Sequence, residues 1–126
     1  MSRFYKGSIF SEQERDGWIY GSFMPDGFHK DDRAEIKVKT LKKGFTGSPH
    51  YQKTATKLDI IWKGEAVWEV NNEDIKLHAG DYLIIPPKVT TTVKKIITDE
   101  VVVQTIKIPS IPNDKVIGEV IESGEI

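Results

Sequence analysis

The sequence predicts an all-β domain of mostly antiparallel strands, closed into a sandwich or barrel. β-Branched and aromatic residues fill most of its apolar positions, and glycines at 17, 21, 27, 44, 47, 64 and 80 cut the chain into strand-length pieces. No stretch keeps a sustained 3.6-residue period. The 126 residues leave room for one core, so one domain is expected over 1–126.

The elements follow in order. Trp18 to Phe23 reads as the first strand, and residues 25–33 as a polar loop. Ala34 to Leu41 alternates, with Ala34, Ile36 and Val38 facing one way, which sends Lys37 and Lys39 to the solvent side. Lys57 to Lys63, Ala66 to Val70, Asp74 to Leu77, Tyr82 to Ile85, Thr91 to Ile96 and Val101 to Ile108 continue the series. Asn71-Asn72 supplies a hairpin turn, because Asn tolerates the left-handed conformation. Pro109, Pro112 and Asn113 break the chain, and a tail follows. In it Val116, Ile117, Val120 and Ile121 fit one face of a short helix, while Gly118 and the β-branched residues fit an extended arm equally well.

Composition excludes several functions. Lys and Arg number 18 against 19 Asp and Glu, a net charge of −1, without the positive excess that nucleic-acid binding needs. Cysteine is absent, which removes disulfides, thiolate metal sites and cysteine nucleophiles. No apolar run approaches a bilayer span, and residues 1–6 lack a signal-peptide core. A cytoplasmic protein acting on a small molecule, with no nucleic-acid or membrane partner, is the expectation.

One segment carries a signature. Gly44 is followed after five residues by His50-Tyr51-Gln52, after four more by Lys57, and after six more by Gly64. Fifteen residues later comes Gly80-Asp81, with Pro86 six positions after Gly80. This resembles the two motifs of the cupin superfamily, a small jelly-roll barrel also called a double-stranded β-helix. The resemblance covers residues 44 to 108 and leaves 109–126 as a C-terminal extension. It implies positive φ at Gly64 and Gly80, an Asp81 side chain bonded to turn amides, and a strand ending at Pro86.

Metal-binding cupins use two His and a Glu from the first motif and a His from the second. Of these the chain retains His50; Gln52, Lys57 and Thr91 stand at the other three positions, and Lys88 and Lys95 replace a later Gly and Asn. One imidazole, an amide, a hydroxyl and an ammonium do not hold a transition metal, so no metal and no cofactor are expected. A narrower likeness joins Lys107-x-Pro109-Ser110-x-Pro112-x-Asp114-Lys115 and the early Gly17-Trp18 segment to a group of small single-domain cupins. Members of that group are often found near sugar-nucleotide and polysaccharide genes.

Alternation from the first motif turns His50, Gln52, Lys57, Asp59 and Ile61 inward, with Thr91 and Gln104 facing them from other strands. Lys57 and Asp59, roughly 6–7 Å apart along a strand, would form a charge pair. That set suits a sugar or nucleotide sugar. A second expectation is a cofactor-independent isomerase or epimerase of nucleotide-linked sugars, with His50 as catalytic base and Asp59 or a tyrosine as its partner. A third is a structural domain without ligand. Lys57 as a Schiff-base nucleophile requires burial to lower its pKa, which Asp59 is expected to oppose. His29 and His78 read as solvated, and Trp18, Trp62 and Trp68 as core or dimer packing. A homodimer is expected from edge strands that need covering and from the resemblance.

Overall fold

Short alternating segments and left-handed turn residues leave the chain little choice but hairpins. The computed structural model describes residues 4–12 and 15–118. Ten strands form: β1 (Trp18–Tyr20), β2 (Glu35–Lys42), β3 (His50–Gln52), β4 (Thr56–Lys63), β5 (Glu65–Val70), β6 (Glu73–His78), β7 (Tyr82–Ile85), β8 (Thr91–Ile96), β9 (Glu100–Ile108) and β10 (Lys115–Ile117). Among the described residues there is no α-helix, and so none long and apolar enough to cross a membrane.

The strands pair antiparallel into two five-stranded sheets, in the orders β1-β2-β9-β4-β7 and β10-β3-β8-β5-β6, a jelly roll. Turn chemistry sets the hairpins. Asn71 and Asn72 both take positive φ, 48° and 68°, in the two-residue turn between β5 and β6. Gly64, at φ 89°, joins β4 to β5 with no room for a Cβ, which would lie 2.3 Å from the Glu100 carbonyl oxygen. Asp81 accepts the His78 backbone N–H at 2.8 Å, and β7 stops at Ile85, before Pro86.

Register in the first sheet decides what faces inward. Three inner rows cross it: Glu35–Lys107–Lys57–Ile85, Lys37–Thr105–Asp59–Leu83, and Lys39–Val103–Ile61. The inner face therefore grades along the strands from charged at one end to apolar at the other. At the apolar end Leu41, Ile61, Ala66, Trp68, Leu77, Ile96, Val101 and Val103 form the core. The charged end opens into a cavity.

Two expectations are corrected here. Lys37 and Lys39 face the interior and not solvent, because pairing opposite Thr105 and Val103 puts them on the face that carries Asp59 and Ile61. Ile36 and Val38 instead share the outer face with Ile106, Leu58 and Ile60. The tail is extended as far as it is described: Lys115, Val116 and Ile117 pair with Gln52, Tyr51 and His50, so the helical alternative fails over 115–117. Val120 and Ile121 lie outside the described residues.

Candidate functional site

The cavity has a volume of about 290 Å³ and lies between the inner faces of the two sheets, at their charged end. Strand β4 places Lys57 and Asp59 in it, 5% and 3% exposed. From the facing sheet β3 supplies His50 and β8 supplies Thr91, which are direct ladder partners. Strand β9 adds Thr105 and Lys107, β2 adds Lys37 and Lys39, and β10 adds Lys115. Among the described residues five lysines thus line one cavity against two aspartates, Asp16 and Asp59. Asp16, on the loop before β1, pairs with both Lys37 and Lys39.

A chain of polar contacts runs through the centre. His50 Nδ1 lies 2.8 Å from the Ser48 carbonyl oxygen, and Lys57 Nζ lies 2.9 Å from His50 Nε2. A carbonyl oxygen only accepts, so Nδ1 carries the imidazole proton and Nε2 offers its lone pair to the lysine N–H. Burial, aided by the Lys57 charge, pushes the His50 pKa down to about 4 and keeps the ring neutral. Asp59 accepts from Trp68 Nε1 at 3.0 Å and from Thr105 Oγ1 at 2.8 Å, and lies 3.9 Å from Lys57 Nζ. Its charge is therefore shared with two buried donors. Burial outweighs it and lowers the Lys57 pKa, with Lys115 and Lys37 adding to the shift. This corrects the expectation that Asp59 would hold that pKa up. Burial also pushes Lys107 down to about 8, against the pull of Glu35 at 3.7 Å.

The structure brings His50, Lys57, Asp59 and Thr91 together in the cavity and separates two other residues from them. Gln104 is turned outward: on β9 it alternates with Thr105, and its Oε1 accepts from Trp62 Nε1 at 2.9 Å on the outer face. Gln52 is 2% exposed, but it lines a neighbouring pocket with Glu35, Asp114, Lys107 and Lys115. The partners of His50 are the Ser48 carbonyl and Lys57, not Asp59, and among the described residues no tyrosine lines the cavity. His29 is half-buried, with Nδ1 at 3.1 Å from the Ile19 carbonyl oxygen and its ring edge-on to Tyr5; His78 is exposed.

Sequence reasoning missed Lys37, Lys39, Thr105, Lys107 and Lys115. A signal for two of them lay in the 107–115 segment. Its Ser110 donates to Glu35 Oε1 at 2.8 Å and accepts the Ser22 N–H at 3.0 Å. Its Asp114 carboxylate accepts the backbone N–H groups of Thr54 and Ala55, each at 2.9 Å. The buried polar residues are clamps that hold the segment down, and the two lysines flanking them point to the cavity.

The donor set does not fit a transition metal. His50 is the one strong neutral donor at the cupin ligand positions, with one nitrogen bonded to Ser48 and the other to an amine. Among the described residues no group of three or more His, Cys, Asp or Glu stands within metal-binding reach. What the cavity offers is positive charge and a neutral imidazole; the Oγ1 atoms of Thr91 and Thr92 beside it are buried from solvent, without a hydrogen-bond partner among the described residues.

Two facing sheets with a polar mouth of this kind define a cupin barrel, and the chain belongs to that family. The cupin domain model matches residues 37–104. Solved structures of the same fold include a conserved protein with a double-stranded β-helix domain from Klebsiella pneumoniae (TM-score 0.64, 18% identity, 71% of this chain and 73% of that one). A cupin protein from Bacteroides fragilis is also similar (TM-score 0.56, 22% identity, 74% and 77%), as is KdgF from a Halomonas species (TM-score 0.58, 17% identity, 66% and 74%). A search of curated proteins finds no match.

Proposed function

We propose that this cupin binds a small anionic polyhydroxylated molecule in its barrel cavity, without a metal. The ligand is a sugar bearing phosphate or carboxylate, the sugar end of a nucleotide sugar included. The observation that carries the reading is the convergence, among the described residues, of five lysines on a cavity lined by two aspartates. Like charges brought together under partial burial raise one another's free energy, and an anion relieves that repulsion. Thr91 lines the same cavity beside His50, its ladder partner. The volume, about 290 Å³, suits a monosaccharide; the nucleotide of a nucleotide sugar would lie outside the mouth.

Thermal stability in the presence of sugar phosphates, sugar acids and nucleotide sugars tests it. A ligand at 100 times its Kd should stabilise the protein by about 2.7 kcal/mol. Lys107→Met should weaken binding about tenfold or more, since a hydrogen bond to a charged group is lost. No shift with any of them favours a structural domain without ligand, and near-stoichiometric metal in purified protein defeats the metal-free reading.

The second reading, isomerisation or epimerisation with His50 as base, is favoured by one observation. The ring is held neutral, and its lone pair on Nε2 faces the cavity, where it accepts from Lys57. Solvent deuterium appearing in a bound keto sugar, and failing to appear with His50→Gln, distinguishes it from simple binding. We further propose that the protein is a cytoplasmic homodimer joined through the outer face of the first sheet.

A further inference from the structure

Lys57 is the most deeply buried of the cavity lysines, at 5% exposure. Anion binding alone does not call for this. A lysine at the mouth attracts an anion while its ammonium stays hydrated, whereas an ammonium inside the barrel loses its hydration. Among the described residues the one carboxylate within ion-pair distance of Lys57 is Asp59, 3.9 Å away, and it already accepts two hydrogen bonds. The contacts that Lys57 does make fit another use. Its Nζ is 2.9 Å from His50 Nε2, and His50 Nδ1 is fixed by the Ser48 carbonyl oxygen at 2.8 Å. Nucleophile, base and orienting group stand in line, the geometry of an activated nucleophile.

We propose that Lys57 is a nucleophilic amine that condenses with the carbonyl of a small aldehyde or ketone carrying a carboxylate or phosphate, with His50 as the proton carrier. The proposal rests on the anion-binding reading of the same cavity. The amine lone pair attacks the carbonyl carbon as the C=O π pair moves to oxygen. His50 Nε2 takes a proton from the nitrogen and passes it to that oxygen, giving a carbinolamine. The remaining N–H proton follows the same route, the hydroxyl leaves as water, and the nitrogen lone pair closes C=N. Both hydrogens of the water come from the amine and its oxygen from the carbonyl, so no oxidant or reductant is needed.

The surroundings suit each part of this step. Burial and the charges of Lys115 and Lys37 lower the Lys57 pKa against the pull of Asp59, and each unit enlarges the neutral fraction about tenfold. Lys107 is the direct ladder partner of Lys57 across β4 and β9, so the two side chains leave the sheet side by side. A carboxylate one bond from the reacting carbonyl, or a phosphate a little further away, falls between Lys107 and its neighbours. The same pocket therefore selects an anionic carbonyl compound over a neutral one.

Reductive trapping tests it. The wild-type protein is incubated near neutral pH with cyanoborohydride and either pyruvate or glyceraldehyde 3-phosphate, and then mapped by mass spectrometry. One adduct is expected, on Lys57, adding the mass of the carbonyl compound less one oxygen atom. Whichever probe labels faster distinguishes carboxylate from phosphate recognition. Lys57→Met should abolish the adduct, and His50→Gln should slow its formation while keeping its position. Lactate and glycerol 3-phosphate, which keep the anion and lack the carbonyl, are run in parallel by thermal shift. If they stabilise the protein while label is absent from Lys57 or spread evenly over exposed lysines, the amine chemistry is overturned and the binding reading stands. If neither the carbonyl compounds nor these analogues bind, both fall.

Discussion

Burial sets the protonation of His50, and this makes the residue a pH sensor for the stability of the whole chain. Its pKa falls from 6.5 to about 4 on folding. Between those values the unfolded chain takes up a proton that the folded chain refuses, so acid favours unfolding. The contribution is complete above pH 6.5 and is lost as pH falls toward 4, on the order of 3 kcal/mol. Denaturant titrations of wild type and His50→Gln across that range should show their stability difference changing with pH; a constant difference would refute the shift. Carboxylates such as Asp16, whose pKa is also lowered, add to acid sensitivity in both proteins and cancel in the comparison. At this scale the motif spacing was informative where it fixed the phase of a strand. It placed His50, Lys57, Asp59 and Thr91 correctly on inward positions. It failed at Gln104 because β9 opens Val101-Val102-Val103, apolar in both phases, and gives no sign of which parity points inward.

Turns show the same division between what pattern reveals and what contact decides. Gly64 and Gly80 have nearly the same backbone, φ 89° and 97°, and both were legible as left-handed turns. Their surroundings differ: a Cβ at Gly64 would meet the Glu100 carbonyl oxygen at 2.3 Å and Thr98 Oγ1 at 2.7 Å, while at Gly80 nothing lies within 4 Å. Gly80→Ala should therefore cost only the left-handed penalty, about 1–2 kcal/mol. Gly64→Ala adds displacement of a backbone carbonyl and should cost about 2–4 kcal/mol. Equal losses in urea titrations would contradict the close approach. Strand positions were legible from alternation and turn residues, but the face of β2 was not. Ile36 and Val38 look like core positions and Lys37 and Lys39 like solvent positions; the ladder to β9 reverses them. Alternation gives two faces, and naming the inner one requires a rule that apolar means inside. In this sheet the rule breaks down, because the inner face at the cavity end is charged and the outer face is apolar.

The outer face of the first sheet is thus a property of the whole molecule. Two cross-strand rows cover it, Ile36–Ile106–Leu58–Ile84 and Val38–Gln104–Ile60–Tyr82, with Trp62 beside them. Trp62, Tyr82 and Ile84 are 62%, 63% and 60% exposed. The two strands β6 and β7, each at an edge of its own sheet, are built differently. On β6 the exposed residues are Glu73, Asp74, Lys76 and His78, the charged dressing that prevents strand addition; on β7 they are Tyr82 and Ile84. The apolar part of this face ends at an undressed edge, and the charges on the same face are gathered in the Lys42–Glu100–Lys63 cluster at the far end of the strands; a two-fold interface that opposes the apolar patch to itself leaves that cluster outside. A second copy of the chain is therefore the proposed occupant. Light scattering during size exclusion should give the mass of a dimer. Ile84→Lys, which puts two cations into one interface by symmetry, should raise the dimer Kd by about a hundredfold or more. Lys76→Glu, on β6 of the other sheet, should leave it unchanged. A monomeric wild type, or equal effects of the two substitutions, would show that this face is not the dimer contact.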